Sequence, residues 1–399
     1  MAWIINHPGH SFLNLDTMAK KKKVGVKVPT ANEILKKYGY SVTMEADKTE
    51  DLGLWIPSTF FALNHQMGGG CPWGKIIEFM GMESSGKTLM ALNMAYACQQ
   101  LGGQVIWVDA EQCWSNEWAE ANGLDTSRIT LLSDTQIEVI SDAIADLSIF
   151  YRSKLVNNEP ILIVVDSVAA LDCADNINSN MYDSKADMGN RAKALYKMLR
   201  IRNELFRKLG ITQIYINQLR TKLNAGFGQD PNTTPGGQAM QFYASIRLAF
   251  FGGKTITAKI KGKERKVGKY VTIRVIKNKV APPRATISKA PMYFYPQYHE
   301  VGFDRYFGLE DVLVENEIIE NKRGTYSLGD KTLCRGEEKF RQLLEEDDEL
   351  RRKLLKLGDI NTIGATKKKL SKLTENLFPV DDAEYESQQD VDDDEEDDI

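Results

Sequence analysis

Between about residue 52 and residue 290, short apolar runs alternate with longer segments of helical pattern. KIIEFMG (75–81) is an apolar run that precedes a Gly-rich turn, and QVIWVDAE (104–111), ILIVVDS (161–167) and TQIYINQLR (212–220) are nearly continuous apolar runs that end in polar residues. Strands covered on both faces have this pattern, and helices between them predict a mostly parallel sheet in an α/β fold. LMALNMAYACQQ, which follows the first run, is apolar on most sides and predicts a buried helix. Upstream, Thr30 and Glu33 have the spacing of a capping box that opens the short predicted helix TANEILKKYG, with Gly39 as its stop. SVTME then alternates like a strand. Neither element can bury its apolar face alone, so the pair is expected to dock on the main body or on a neighbouring subunit. Residues 1–29, with KKKK at 20–23, predict an unstructured basic arm in which Met18 is a second candidate start. Beyond about residue 298 the pattern predicts a region of helices and loops up to about residue 379.

Composition adds limits. The 399 residues are 42% hydrophobic and 27% charged, which excludes a collagenous or wholly disordered chain. No apolar run approaches the roughly 18 residues that would cross a bilayer, and MAWIINHPGH, broken by His and Pro, is not expected to be a secretory signal. The five cysteines (71, 98, 113, 173, 334) form no CxxC pair, which points to a reducing cytoplasm rather than a disulfide frame or zinc site. The net charge of −4 conceals an asymmetry, because residues 380–399 contain 12 acidic residues and no Lys or Arg. The first 379 residues carry 51 basic against 43 acidic side chains. Such a tail is expected to stay unfolded, either as a competitor of nucleic-acid phosphates for the basic body or simply as a solubiliser.

The sharpest chemical signal is GMESSGKT at 81–88, a G-x-x-x-x-G-K-[ST] sequence between a predicted strand and a predicted helix. Gly81 and Gly86 let backbone N–H groups wrap phosphates, Met82, Glu83, Ser84 and Ser85 form the wrap, and the helix N-terminus adds its dipole. Lys87 is placed for the β- and γ-phosphates and Thr88 for Mg²⁺, so ATP with Mg²⁺ is the expected ligand. Asp166, ending ILIVVDS, is the expected second holder of Mg²⁺. Glu111, just past a strand end, is expected to orient the attacking water, with Asp109 as the competing carboxylate. Gln218 ends its strand as an amide beside the γ-phosphate.

Taken in order, GMESSGKT, VDAEQ, VVDSVAAL, INQLR and TTPGGQAMQFYASIRL resemble the RecA family of bacterial and phage recombinases from about residue 30 to 350. The resemblance implies a RecA-like ATPase core at 51–297, a helix–strand polymerisation element at 30–50 and a small α+β C-terminal domain at 298–379. A basic arm (1–29) and an acidic tail (380–399) flank them. It makes Glu111 the catalytic carboxylate, with Lys87, and Gln218 the sensor of the γ-phosphate. Trp118 falls where the family stacks an aromatic on adenine, and Lys277 and Lys279 where it reaches the ATP of the adjacent subunit. DNA contacts are implied at the end of a first loop (174–190), at Met188, Gly189 and Arg191, with Arg200 and Arg202 adding charge nearby. A second loop (219–238) adds Arg220, Phe227, Thr234, Gly236, Gly237 and Gln238. Three positions depart from the pattern: Met82 for a common Pro, Leu89 for a second Thr, and Pro235 for a Thr beside the glycine pair.

The resemblance implies an ATP-dependent recombinase that forms a helical homo-oligomer on single-stranded DNA and pairs it with a homologous duplex. Single-strand-binding and loading proteins are further candidate partners. Two other readings share the phosphate loop: a ring helicase or motor on the same fold, and a mediator that coats DNA without exchanging strands.

Overall fold

The computed structural model describes residues 54–155, 159–179, 187–221, 232–233, 235–282 and 286–358. The predicted helix and strand at 30–45, the basic arm, Phe227, Thr234 and the acidic tail lie outside them.

Nine strands form the central sheet: β1 (Ile76–Gly81), β2 (Gln104–Asp109), β3 (Ile129–Leu132), β4 (Ile161–Asp166), β5 (Ile211–Gln218), β6 (Ile246–Ile260), β7 (Lys263–Asn278), β8 (Ile287–Tyr293) and β9 (Gly302–Phe303). Their spatial order is β9-β8-β7-β6-β1-β5-β4-β2-β3. From β6 to β3 every neighbouring pair is parallel. From β6 to β9 every pair is antiparallel. The four apolar runs are therefore neighbours in the parallel half, and an antiparallel extension continues it on one side.

Alternation along each strand divides the interior into two layers. Ile77, Phe79, Val105, Trp107, Leu162, Val164, Ile214 and Ile216 face a core shared with α1 (Lys87–Gln100). Ile76, Ile106, Val108, Ile161, Ile163, Val165, Ile211 and Tyr215 face a second core. α2 (Ile137–Lys154) and α3 (Asp187–Lys208) cover that second core through Ile140, Ile144, Leu195 and Leu199. Runs that look uniformly apolar are thus two interleaved sets, one per layer. α1 is buried on most of its circumference, as its composition predicts.

The hairpin β6–β7 outgrows the sheet. β1 pairs only with Ile246–Phe250, and β8 only with residues from Gly268 to Ile273. Between Thr255 and Lys266 the two strands pair only with each other. The two-residue turn Lys261–Gly262 has positive φ at both positions, 49° and 76°, the turn that matches the right-handed twist of its strands. From Lys254 to Lys269 the hairpin carries seven basic residues and one acidic residue.

After β9 come α4 (Leu309–Glu315), the three-stranded antiparallel sheet β10 (Glu320–Lys322), β11 (Thr325–Leu328) and β12 (Lys331–Arg335), and then α5 (Glu337–Glu346) and α6 (Asp348–Leu357). Three strands therefore stand where the pattern alone shows helices and loops. Phe61, Leu309, Leu313, Tyr326, Phe340, Leu344 and Leu354 form a third core cluster here. Among the described residues no helix is long and apolar enough to cross a membrane.

Glu310, at the start of α4, is buried, and its Oε1 pairs with Arg341 Nη1 at 3.1 Å while Oε2 has no hydrogen-bond partner. Burial pushes this carboxyl up to about 7, against the pull of Arg341. Its ordinary value is 4.5, so between the two values the folded chain keeps a proton that the unfolded chain has released. Stability is therefore predicted to fall as pH rises through that window and to level off above it. Glu310→Gln cannot ionise and should flatten the slope in calorimetric Tm measurements from about pH 5 to about pH 8. Parallel slopes in the two proteins would assign the titration to another group.

Candidate functional site

The parallel strands bring the ends of four apolar runs to one edge. β1 ends at Gly81, where a Cβ would lie 2.5 Å from the Phe250 carbonyl oxygen, so no side chain fits. Gly86 opens α1 at φ +92°, and a Cβ there would meet Met292 Sδ at 2.7 Å. The two glycines of the motif are thus fixed by close approach and by backbone conformation. Between them Met82, Glu83 and Ser84 are exposed and Ser85 is buried. Ser85 Oγ donates to the Met82 carbonyl oxygen at 2.7 Å, which closes the loop on itself. Lys87 Nζ donates to the same oxygen at 2.7 Å and to that of Gly81 at 3.2 Å. Burial lowers the Lys87 pKa, and the nearby carboxylates of Asp166, Glu111 and Glu83 oppose the shift.

Thr88 Oγ1 donates to Asp166 Oδ2 at 2.9 Å, so the two groups read as metal holders meet. Burial pushes the Asp166 carboxyl up to about 6, although the Thr88 hydroxyl bond pulls it down. A buried anion of this kind, beside a hydroxyl oxygen, suits a hard divalent cation, whose charge offsets the cost of burial. Among the described residues no group of three or more His, Cys, Asp or Glu could hold a metal ion.

The two competing carboxylates occupy different environments. Asp109 is buried and accepts the backbone N–H groups of Cys113 at 3.0 Å and Trp114 at 2.9 Å, so both of its oxygens shape the loop after β2. Glu111 is exposed, and its Oε1 accepts a short hydrogen bond from Ser167 Oγ. Thr88, Trp107, Asp109, Glu111, Trp114, Trp118 and Asp166 all border one cleft of about 110 Å³, so the two carboxylates share the cleft and differ in exposure and in their partners. Trp118 lies in the short helix Asn116–Ala121 and is 39% exposed, so it is not a core tryptophan. The buried partner is instead Trp107, whose ring meets that of Trp114 at 5.1 Å.

Gln218 pairs with Gly81 across β1 and β5, which sets its backbone beside the start of the phosphate loop. Leu219 N–H donates to the Gly81 carbonyl oxygen at 3.0 Å. Arg220–Thr221 and Asn232–Thr233 then form a short antiparallel ladder at the base of the second loop. Gly236 and Gly237 follow at φ +87° and +69°, with Gly237 and Gln238 exposed at the turn into the helix Ala239–Tyr243. Met188 and Gly189 lie in the first turn of α3, with Gly189 exposed. Arg191 is half-buried, and its Nη1 donates to the Ala169 carbonyl oxygen at 3.4 Å. Arg202 is tied to Asp142 and to Ser141 Oγ, which corrects its reading as charge available to DNA.

In VIKNKVAP, Lys277 and Lys279 are two residues apart, a spacing that predicts one face of one strand, and the structure corrects that placement. β7 ends at Asn278, so Lys279 lies one residue beyond the strand rather than on it. Lys277 pairs with Arg247, which pairs with Glu78, three residues before Gly81. Two strand spacings and three residues of rise put it roughly 14 Å from the phosphate loop of its own chain. Its Nζ donates to the Gln241 carbonyl oxygen at 2.6 Å, and burial and the neighbouring Lys279 lower its pKa.

Several contributors are given no role by the sequence reading, although Ser167 and Asn217 lie within VVDSVAAL and INQLR. Ser167 orients Glu111, and Lys269 Nζ donates to the Ser84 carbonyl oxygen at 2.9 Å. Glu78 and Asn217 are wholly buried polar residues within apolar strands, and that anomaly is a signal the sequence does carry.

The family model of the RecA N-terminal domain matches residues 27–295. Protein RecA of Tropheryma whipplei (strain Twist) is 36% identical over 307 residues, which cover 76% of this chain and 66% of that protein. Protein RecA of Oleidesulfovibrio alaskensis is 33% identical over 329 residues, or 80% of this chain and 86% of that one. Protein RecA of Porphyromonas gingivalis (strain ATCC 33277) is 32% identical over 351 residues, 85% of this chain and 95% of its own. With its phosphate loop, its strand-end carboxylates and its amide all inside the matched span, the chain belongs to the RecA family of ATP-dependent recombinases, which are DNA-dependent ATPases.

Proposed function

We propose that this chain polymerises head-to-tail into a helical filament on single-stranded DNA, with ATP between adjacent subunits, and pairs the bound strand with a homologous duplex. The observation that carries this reading is the separation of the basic groups. Lys87, Thr88, Asp166, Glu111 and Gln218 converge at one edge of the sheet, whereas Lys277 lies two strands away and in register with Glu78, back from that edge. A site completed by Lys277 and Lys279 therefore takes them from a second copy, and a head-to-tail contact repeats without closing into a pair.

In this reading the loop 81–88 holds the phosphates through its backbone N–H groups and Lys87. Thr88 and Asp166 hold Mg²⁺, which when bound neutralises phosphate charge. Glu111, oriented by Ser167, positions the attacking water and takes its proton. Trp118 stacks on the base, and Gln218 reports the γ-phosphate to the second loop. Met188, Gly189, Arg191, Arg220, Phe227, Thr234, Gly236, Gly237 and Gln238 form the DNA face, where backbone N–H groups of the glycine turn meet phosphates. The five scattered cysteines support action in a reducing cytoplasm. Single-strand-binding and loading proteins are natural partners of such a filament.

Electron microscopy with single-stranded DNA and a slowly hydrolysed ATP analogue is expected to show helical filaments. Closed rings would instead favour a ring motor on the same fold. Glu111→Gln should keep ATP and DNA binding but lower DNA-stimulated hydrolysis by about 100-fold or more, because an amide cannot accept the water's proton. Lys87→Ala should instead weaken nucleotide binding, and near-normal turnover in the Glu111 variant would remove that residue from the reaction. Lys277→Ala and Lys279→Ala should each abolish cooperative, DNA-stimulated hydrolysis in a folded protein. Mixing either with Lys87→Ala should restore a fraction of the activity, since some interfaces then join an intact loop to intact lysines. If mixing restores nothing, the two-subunit site is wrong.

A further inference from the structure

Asn217 is the penultimate residue of β5, next to Gln218, and none of its surface is exposed. Every hydrogen-bonding group of its amide except one lone pair is in use. Nδ2 donates to Glu78 Oε1 at 2.9 Å and to the Pro235 carbonyl oxygen at 3.1 Å. Oδ1 accepts the backbone N–H of Gln218 at 3.0 Å. Glu78, also wholly buried, is held on its other oxygen by Arg247 Nε at 2.5 Å. One side chain therefore touches three pieces of the molecule. These are β1, which carries the phosphate loop; the backbone of Gln218; and the turn that carries Gly236 and Gly237 into the helix Ala239–Tyr243.

We propose that Asn217 is the positioning residue that makes the engagement of Gln218 with ATP and the placement of the glycine turn for DNA a single event. The reason is the cost of breaking any one of its bonds. A buried amide that loses a partner leaves both itself and that partner unpaired away from water, so the three pieces move together or not at all. Glu78 and Arg247 anchor the assembly to β1, so a shift of the Gln218 backbone is passed on towards Pro235 rather than absorbed locally. Pro235 has no N–H, and its carbonyl is the only hydrogen-bonding group its backbone offers to the network. Gly236, directly after it, packs so close to α3 that a Cβ there would lie 2.7 Å from Leu195 Cδ2. Arg247 also pairs in register with Lys277, so the same buried carboxylate lies beneath the groups assigned to the adjacent subunit. The inference rests on the reading that Gln218 senses ATP and that residues 219–238 contact DNA.

The test is the ratio of single-stranded DNA affinities measured with a non-hydrolysable ATP analogue and with ADP, using oligo(dT) on the full chain. Asn217→Ala is expected to collapse that ratio by about tenfold or more while ADP still binds, since ADP has no γ-phosphate to report. Glu78→Gln keeps an acceptor for Asn217 and is expected to retain most of the ratio. Gln218→Ala serves as the reference. If Gln218→Ala keeps the ratio, the sensor reading fails. If Gln218→Ala loses the ratio and Asn217→Ala keeps it, the role of Asn217 alone is overturned. Hydrogen exchange on the unmodified protein tests the same point without relying on any variant to fold. The ATP analogue alone should alter exchange in residues 236–243, and oligo(dT) alone should alter it in residues 213–219. An effect of either ligand confined to its own segment would overturn the proposal.

Discussion

Parallel strands all end on the same side, and that one constraint places nearly every group of the site. In a parallel sheet, carboxyl ends converge at one edge, where connecting loops and helix N-termini can crowd around a ligand. Gly81, Asp109, Asp166 and Gln218 each terminate a strand of the parallel half, in the order β1, β2, β4 and β5 along the chain. Sequence separations of up to 137 residues thereby become contacts between neighbours in the sheet, such as Gly81 beside Gln218. The antiparallel half obeys a different geometry. There Lys277 lies two strands away from β1 and in register, through Arg247, with Glu78 rather than with Gly81 at the strand's end.

Much of this order is legible in the sequence, because a doubly covered strand is apolar at most positions and polarity returns where it leaves the sheet. QVIWVDAE, ILIVVDS and TQIYINQLR show both features, and the phosphate loop follows from the spacing of Gly81, Gly86, Lys87 and Thr88. The alternation that assigns Ile76 to one layer and Ile77 to the other is not visible in such runs, since both layers demand the same residue types. The small sheet β10–β12 is harder to read, because its strands are three to five residues long and half-exposed, too short to set up a period.

The site shows the same division. Spacing identifies Lys87, Thr88 and Glu111, but the distinction between Asp109 and Glu111 depends on which backbone N–H groups fold back onto which carboxylate. Trp118 and Trp107 are also indistinguishable by residue type: both border the cleft, but Trp107 is buried in its strand while Trp118, on the helix Asn116–Ala121, is exposed. Glu78 is visible in sequence only as an interruption of an apolar run, and Asn217 and Arg247 lie in INQLR and TTPGGQAMQFYASIRL without a role of their own. Their meaning appears once β1, β5 and β6 lie side by side and the three polar groups satisfy one another.

The outgrown hairpin has a consequence for how such a chain can diversify. Between Thr255 and Lys266 its strands answer to no third strand, so adding or removing a matched pair of residues near Lys261–Gly262 would leave every register of the central sheet intact. Length and charge there are free to drift independently of the catalytic edge. A lineage can therefore alter this projection by insertion and substitution while the ATPase beneath it stays under unchanged constraint, which makes the hairpin the natural place for members of one family to acquire different surroundings.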